Sequence, residues 1–240
     1  MQALLIDDTD GVVTFTLNRP DKANALDATL VERLHEALAC VPDGARALVL
    51  RGAGRNFCAG FDFTGFEEAT IGELAWRFVR IEQFLQRIAH SACKTIALAH
   101  GGCFGAGADL VIACEERYAA PDARFRMPGW RFGLALGTRR LAACVGNEFA
   151  RHMLEVANVI GAPEAAAKGL INAAAAPDRW SAMVDSAARA RGTISPATRC
   201  RLKALTIEDT RASDMHALIE SLTAGDLKER IRAFRAAPGE

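Results

Sequence analysis

The chain has 240 residues, half of them hydrophobic, and its 29 basic and 29 acidic side chains leave a formal net charge of zero. That length suits one large domain, or one domain with an appendage, and the neutral charge gives no electrostatic case for nucleic acid or an anionic membrane as partner. No apolar run approaches the roughly 20 residues that cross a bilayer, and seven scattered cysteines without C-x-x-C spacing read as free thiols in a reducing cytoplasm.

The opening Met-Gln-Ala-Leu-Leu-Ile-Asp-Asp lacks the basic start of a signal peptide. Val12 to Leu17 alternates and is β-branched, so it reads as a strand and as the hairpin partner of Ala3 to Ile6. A polar loop, Asp21 to Asp27, follows. Asp27 is placed to cap a helix whose Leu30, Leu34 and Leu38 share one face, and Pro42-Asp-Gly44 ends it. Ala45 to Leu50 is a second, buried strand. The Gly52-Ala-Gly54 after it lacks the third glycine of a dinucleotide fingerprint, as does Gly105-Ala-Gly107. Ile71 to Ala89 has Leu74, Phe78, Ile81, Phe84, Leu85 and Ile88 at helical spacing.

The chain is organised around Lys94 to Cys114. Thr95 to Ala99 is a short apolar strand, and Gly101, Gly102, Gly105 and Gly107 follow within seven positions. An apolar helix then runs to Cys114 with Asp109 near its start. Glycines let a ligand approach the backbone, and a helix start offers N–H groups without internal partners. The combination can hold a negative oxygen, with an acid one turn away. Beyond it, Tyr118 to Phe125 reads as a short strand and turn, and Arg126 to Thr138 as a loop rich in glycine and aromatics. Arg139 to Val145, Glu148 to Ala157 and Pro163 to Gly169 read as helices. After Ile171 the chain turns alanine- and arginine-rich and helical in character.

Five motifs in this order resemble the crotonase, or enoyl-CoA hydratase/isomerase, superfamily. They are Leu17 to Leu26, Leu50 to Asp62, His100 to Leu110, Gly161 to Leu170 and Ile231 to Phe234. The resemblance implies an α/β fold, a spiral of ββα turns over residues 1–190. It adds a C-terminal helical region, 191–240, that packs on neighbouring subunits in a homotrimer or a hexamer of two trimers. It implies an acyl-CoA thioester substrate and no separate cofactor. The thioester oxygen becomes an enolate held by two backbone N–H groups, which motif position puts on Ala59 and Ala106. Coenzyme A is expected along Lys22, Ala23 and the run Ala59, Gly60, Phe61, Asp62, Phe63, beside Gly105, and Phe234 is expected to reach the coenzyme A of a neighbouring subunit. By the same resemblance the acyl pocket is built from Thr64 to Arg87 and Arg126 to Thr138.

Hydratases of the family use two glutamates. Asp109 stands at the first position, shorter by one C–C bond of roughly 1.5 Å. Gly129 stands at the second and cannot move a proton. Single-acid chemistry with Asp109 as acid/base is therefore expected, as in double-bond isomerisation. Decarboxylation or C–C hydrolysis on the same scaffold, or acyl-CoA binding without turnover, stay open. Trp130 reads as a pocket wall, and Arg131 is placed to bind a substrate carboxylate. Asp62 reads as holding its own loop through backbone hydrogen bonds, His100 as packing beside the strand end, and Glu115-Glu116 as a salt-bridged helix end. The histidines and cysteines show no metal spacing. Arg189, Arg191, Arg199 and Arg201 solvate helices better than they form an RNA face.

Overall fold

The computed structural model describes residues 2–190 and 194–237. Strands β1 (Leu4–Thr9) and β2 (Val12–Leu17) form an antiparallel hairpin with Leu4 opposite Leu17. Helix α1 (Ala28–Ala39) starts where the Asp27 carboxylate accepts the Leu30 N–H at 2.7 Å. Strand β3 (Ala47–Gly52) lies parallel to β2. Helix α2 (Ile71–Ala89) enters through a reciprocal capping box of Thr70 and Glu73. Then come β4 (Thr95–Ala99), β5 (Gly102–Phe104), α3 (Ala106–Ala113), β6 (Glu116–Ala119), β7 (Arg124–Arg126), α4 (Thr138–Val145) and α5 (Asn147–Val156). The rest is β8 (Ile160–Gly161), α6 (Ala162–Ala167), β9 (Ala173–Ala174), α7 (Trp180–Ala190), α8 (Pro196–Thr206), α9 (Arg211–Thr223) and α10 (Leu227–Ala236).

The strands form two sheets, one of six in the order β1-β2-β3-β4-β6-β9 and one of three in the order β5-β7-β8. Successive turns of chain feed both sheets. β4 pairs with β3 in the large sheet while β5 enters the small one; β6 and β7 repeat this one turn later. A parallel bridge from Cys58 to Cys103 carries the small sheet back one further turn. This is the spiral that the motif order implied. The six-residue hairpin strand β2, helix α2 and strand β4 have the bounds their periodicity predicted. The short strands β5, β8 and β9 do not follow from local sequence: they hold only two or three residues each, mostly glycine and alanine, and pair only because the spiral stacks them.

Strands β3 and β4 are buried on both faces. Leu48, Leu50 and Ala97 point into the main core, whereas Val49, Ile96 and Leu98 pack against Val184, Ala187 and Ala188 of α7. Leu218 and Leu222 of α9, with Leu227 and Ile231 of α10, are buried in the main core as well. Helix α8 by contrast leaves Leu205 79% exposed. The division expected at 190/191 abuts residues 191–193, which with Arg191 lie outside the described residues.

One buried ionic group ties these layers together. Arg140 of α4 donates to both carboxylate oxygens of Glu82 on α2, one at 2.8 Å, and lies 3.7 Å from Asp214 of α9. Glu82 is 1% exposed. Removing the guanidinium alone leaves that carboxylate buried without a counter-charge. Arg140→Met is therefore expected to lower the unfolding free energy by about 3–5 kcal/mol in urea titrations, with Glu82→Met in the same chain recovering most of the loss. A single variant as stable as the parent would contradict this account of the network.

Candidate active site

The small sheet, α2, α3 and α10 enclose a cavity of about 190 Å³. Its wall is mostly aromatic and aliphatic. Phe61 and Phe78 stack at 4.1 Å between ring centroids, and Met127, Phe132, Leu134 and Leu136 complete much of the lining. Phe78 comes from the expected segment Thr64 to Arg87, and the last four from Arg126 to Thr138. Ala59, Phe63, Gly105, Ala106, Gly129, Trp130 and Phe234 also reach the cavity.

Two backbone segments meet at its mouth. Gly60 has φ +91°, and a Cβ built on it would lie 2.6 Å from Phe104 O and 3.3 Å from Ala106 N. Only glycine allows the Cys58–Phe61 segment to press so closely on the start of α3. Ala106 is the first residue of α3, so its N–H has no partner within the helix. The structure corrects the expected second donor. The Ala59 N–H is already given to Ala23 O at 2.9 Å. Two residues on, Leu26 donates to Gly60 O and accepts from the Asp62 N–H, so it bonds the residues on either side of Phe61. That parallel pattern turns the Phe61 N–H away from Leu26. It has no acceptor among the described residues, and Phe61 lines the cavity. Phe61 and Ala106 thus offer two N–H groups without acceptors, on facing segments at the mouth of the cavity. The spacing of the motif could not show this, because it depends on how Gly60 turns and which neighbours take the flanking bonds.

Asp109 sits one turn into α3, facing the cavity and 2% exposed. Its Oδ1 has no hydrogen-bond partner among the described residues. Burial pushes its pKa from 3.8 up to about 7; the Arg140 guanidinium opposes that rise and Glu82 adds to it. The carboxyl lies against Gly137, the N-cap of α4: a Cβ built there would fall 1.6 Å from Asp109 Oδ1. Gly137, Arg140 and Glu82 thus all bear on the acid, and none was singled out in the sequence. Glu82 had left a trace, since it lies on the same helical stripe as Phe78 and Leu85.

The other predicted residues divide. Asp62 holds its loop as expected: burial would raise its pKa, but hydrogen bonds with Thr64 and with Arg19 (2.9 Å each) keep it below the usual value. Asp62 lies in a shallow groove that shares Phe61 and Phe63 with the cavity. Lys22 is exposed at the end of a short 3-10 turn, next to the Ala23 carbonyl that holds Ala59. Trp130 forms part of the cavity wall, its indole N–H donating to Thr138 Oγ1 at 3.0 Å. Arg131 is exposed and lies outside the cavity, on the cleft beyond Trp130. Phe234 lies over the site. It packs on Phe132 at 5.0 Å and on Phe63 at 6.3 Å, lining the cavity of its own chain. The cause is the return of α10 over the site, where Arg230 donates to Phe132 O and Ser221 O and Arg232 pairs with Glu67 at 2.7 Å.

His100 Nε2 lies 3.1 Å from Gly54 O and its ring faces Trp180, away from the cavity lining. The Gly52-Ala-Gly54 turn opens no helix; Ala53 O instead accepts from the Asn24 amide at 2.9 Å. Burial pushes the Cys58 thiol up to about 12, too high for a thiolate nucleophile. Glu115 pairs with Arg199 and with Lys203 at 2.8 Å, as a salt-bridged helix end should. Among the described residues no three His, Cys, Asp or Glu side chains cluster as a metal site, and no helix is long and apolar enough to cross a membrane.

Comparison with known proteins places this architecture. The family model described as enoyl-CoA hydratase/isomerase matches residues 7–226. A probable enoyl-CoA hydratase of Mycobacterium tuberculosis is 37% identical over 171 residues, 70% of this chain and 68% of that protein. The human mitochondrial Δ(3,5)-Δ(2,4)-dienoyl-CoA isomerase is 31% identical over 228 residues, covering 88% of this chain and 69% of the relative. A crystal structure from Bordetella parapertussis, assigned as an enoyl-CoA hydratase/isomerase, superposes with a TM-score of 0.96 at 45% identity, covering 99% of this chain and all of that one. With the spiral, the glycine-cradled helix start and the buried acid in the positions the motifs gave them, the chain belongs to the crotonase, or enoyl-CoA hydratase/isomerase, superfamily.

Proposed function

We propose that this protein is an acyl-CoA enzyme of the hydratase/isomerase type that makes and quenches an enolate with one carboxyl group. One observation carries this reading. Asp109 is the only carboxylate among the described residues lining the cavity, and it is buried, unpaired at Oδ1 and held near a pKa of about 7. The thioester oxygen sits between the N–H groups of Phe61 and Ala106. Asp109 takes a proton from the carbon next to the thioester; the C–H electron pair moves into the enolate, and the negative charge collects on oxygen. Each fixed N–H donor contributes roughly 3–4 kcal/mol to holding that charge in a site lined mostly by apolar side chains. Returning the proton two carbons along shifts the double bond, so atoms and charge balance without a second acid. Gly129 supplies no group to activate water, which favours isomerisation over hydration.

The coenzyme A arm is assigned to the groove past Asp62 and Phe63, which is also lined by Ala25, whose N–H donates to the Lys22 carbonyl. The subunits are assigned to a trimer, or a pair of trimers, in the cytoplasm, with the 191–240 helical region against neighbours. The exposed Leu202 and Leu205 of α8 are the apolar surface such packing would cover. The test is turnover against 2-enoyl-, 3-enoyl-, β-keto- and malonyl-type thioesters, resolved by mass spectrometry. Interconversion of 2- and 3-enoyl thioesters is expected. Products from the β-keto or malonyl compounds alone would replace isomerisation with cleavage or decarboxylation. Binding without any product would leave an acyl-CoA scaffold.

A further inference from the structure

Resting on that reading of the site, we infer that the acyl group is compact and wholly apolar, about the bulk of one six-membered ring, and that Trp130 sets this limit. The cavity holds about 190 Å³. A dry apolar cavity of about 150 Å³ is enough to bind benzene, so a single ring or a short chain fills this one once the thioester carbon is seated. Apart from Asp109 and Arg126, the side chains of its lining are apolar or absent. Of its two charged side chains, Asp109 repels an anion, and Arg126 already gives its Nε–H to Ala157 O at 2.7 Å. A tail carboxylate would lose its hydration beside Asp109.

The far wall explains why the tail must be short. Trp130 and Leu154 line the cavity and also a second, open cleft of about 670 Å³ along α4 and α5. Trp130 is the partition between the two spaces. Its indole N–H is held by Thr138 Oγ1 at 3.0 Å, and the residue is 45% exposed. A longer chain meets this ring. Shortening the side chain joins the cavity to the cleft and gives the chain an apolar floor at Ala142, Ala150 and Leu154.

Equilibrium binding of hexanoyl-, phenylacetyl-, dodecanoyl- and succinyl-CoA, with free coenzyme A as control, tests this on the parent and on Trp130→Ala. In the parent, hexanoyl- and phenylacetyl-CoA are expected to bind at least about tenfold tighter than the other two thioesters. In Trp130→Ala the ratio of dodecanoyl to hexanoyl affinity is expected to rise at least about tenfold, and Trp130→Phe is expected to keep the parent ratio. Equal or tighter binding of dodecanoyl- or succinyl-CoA by the parent overturns the inference, as does an unchanged ratio in folded Trp130→Ala. If no thioester binds better than free coenzyme A, the acyl-CoA reading itself falls. The parent panel decides the size and polarity of the acyl group even if Trp130→Ala does not fold.

Discussion

Replacing Asp109 with Asn is expected to slow enoyl-thioester isomerisation by about 10²–10⁴-fold while leaving thioester affinity near that of the parent. The amide keeps the shape of the carboxyl against Gly137 but cannot take a proton. Turnover at the parent rate in Asp109→Asn would remove this residue from the chemistry. The pH dependence follows from the same environment. Asp109 must be ionised to act as base, and its pKa is raised from 3.8 to about 7. The parent's kcat/KM should therefore climb through about pH 7 and level off above it. Stability runs the other way. Between those two values the folded chain keeps a proton that the unfolded chain has released. Burying the ionised group thus costs stability that grows with pH and saturates above about 7. The full cost is on the order of 4 kcal/mol, absent near pH 4 and absent from the Asn variant at any pH. Asp109→Asn is accordingly expected to melt higher than the parent at pH 9 and by a much smaller margin at pH 5. An acid that weakens the fold where it works fits a catalytic group better than a structural one.

Gly129→Glu is the second large expected effect. Gly129 lines the cavity across from α3, and a Cβ added there meets only Leu134 O at 3.2 Å and Leu134 Cβ at 3.9 Å. A side chain needs a shift of a few tenths of an ångström, with no backbone conformation reserved for glycine. A glutamate restores the two-carboxylate arrangement that the family's hydratases use, with one group to activate water and one to deliver the proton. Hydration of a short 2-enoyl-CoA is expected to rise by about 10²-fold over the parent. The assay is loss of the conjugated thioester absorbance. No gain in hydration, with isomerisation intact, would mean that something other than the missing acid keeps water from adding.

What the sequence made legible was set by its hydrophobic periods and its glycines. The alternation at Val12 to Leu17, the helical stripe of Ile71 to Ala89 and the run Thr95 to Ala99 each gave the right element because local pattern and burial agree there. Asp109 was legible for the same reason: a charged residue in an otherwise apolar helix start needs an explanation, and it has one in the cavity. Features decided between distant segments were not legible. Phe61 rather than Ala59 offers the free N–H because Ala23, 36 positions before Ala59, takes the other bond. Arg140 and Glu82 meet across 58 positions; Glu82 on the apolar stripe of α2 marks a buried acid, but nothing in the local sequence names Arg140 as its partner. Phe234 faces its own chain's cavity because Arg230 and Arg232 latch α10 back onto it, a matter of long-range hydrogen bonds to backbone carbonyls and one ion pair rather than of the motif around residue 234.

In the proposed reaction the N–H groups of Phe61 and Ala106, with Asp109, stabilise an enolate. The most direct measurement is incubation of the protein with a short acyl-CoA in D₂O, followed by mass spectrometry of the recovered thioester. Deuterium is expected at the carbon next to the thioester with the parent and is expected to be lost in Asp109→Asn. A thioester that binds and comes back without deuterium from the parent would contradict the proposed reaction.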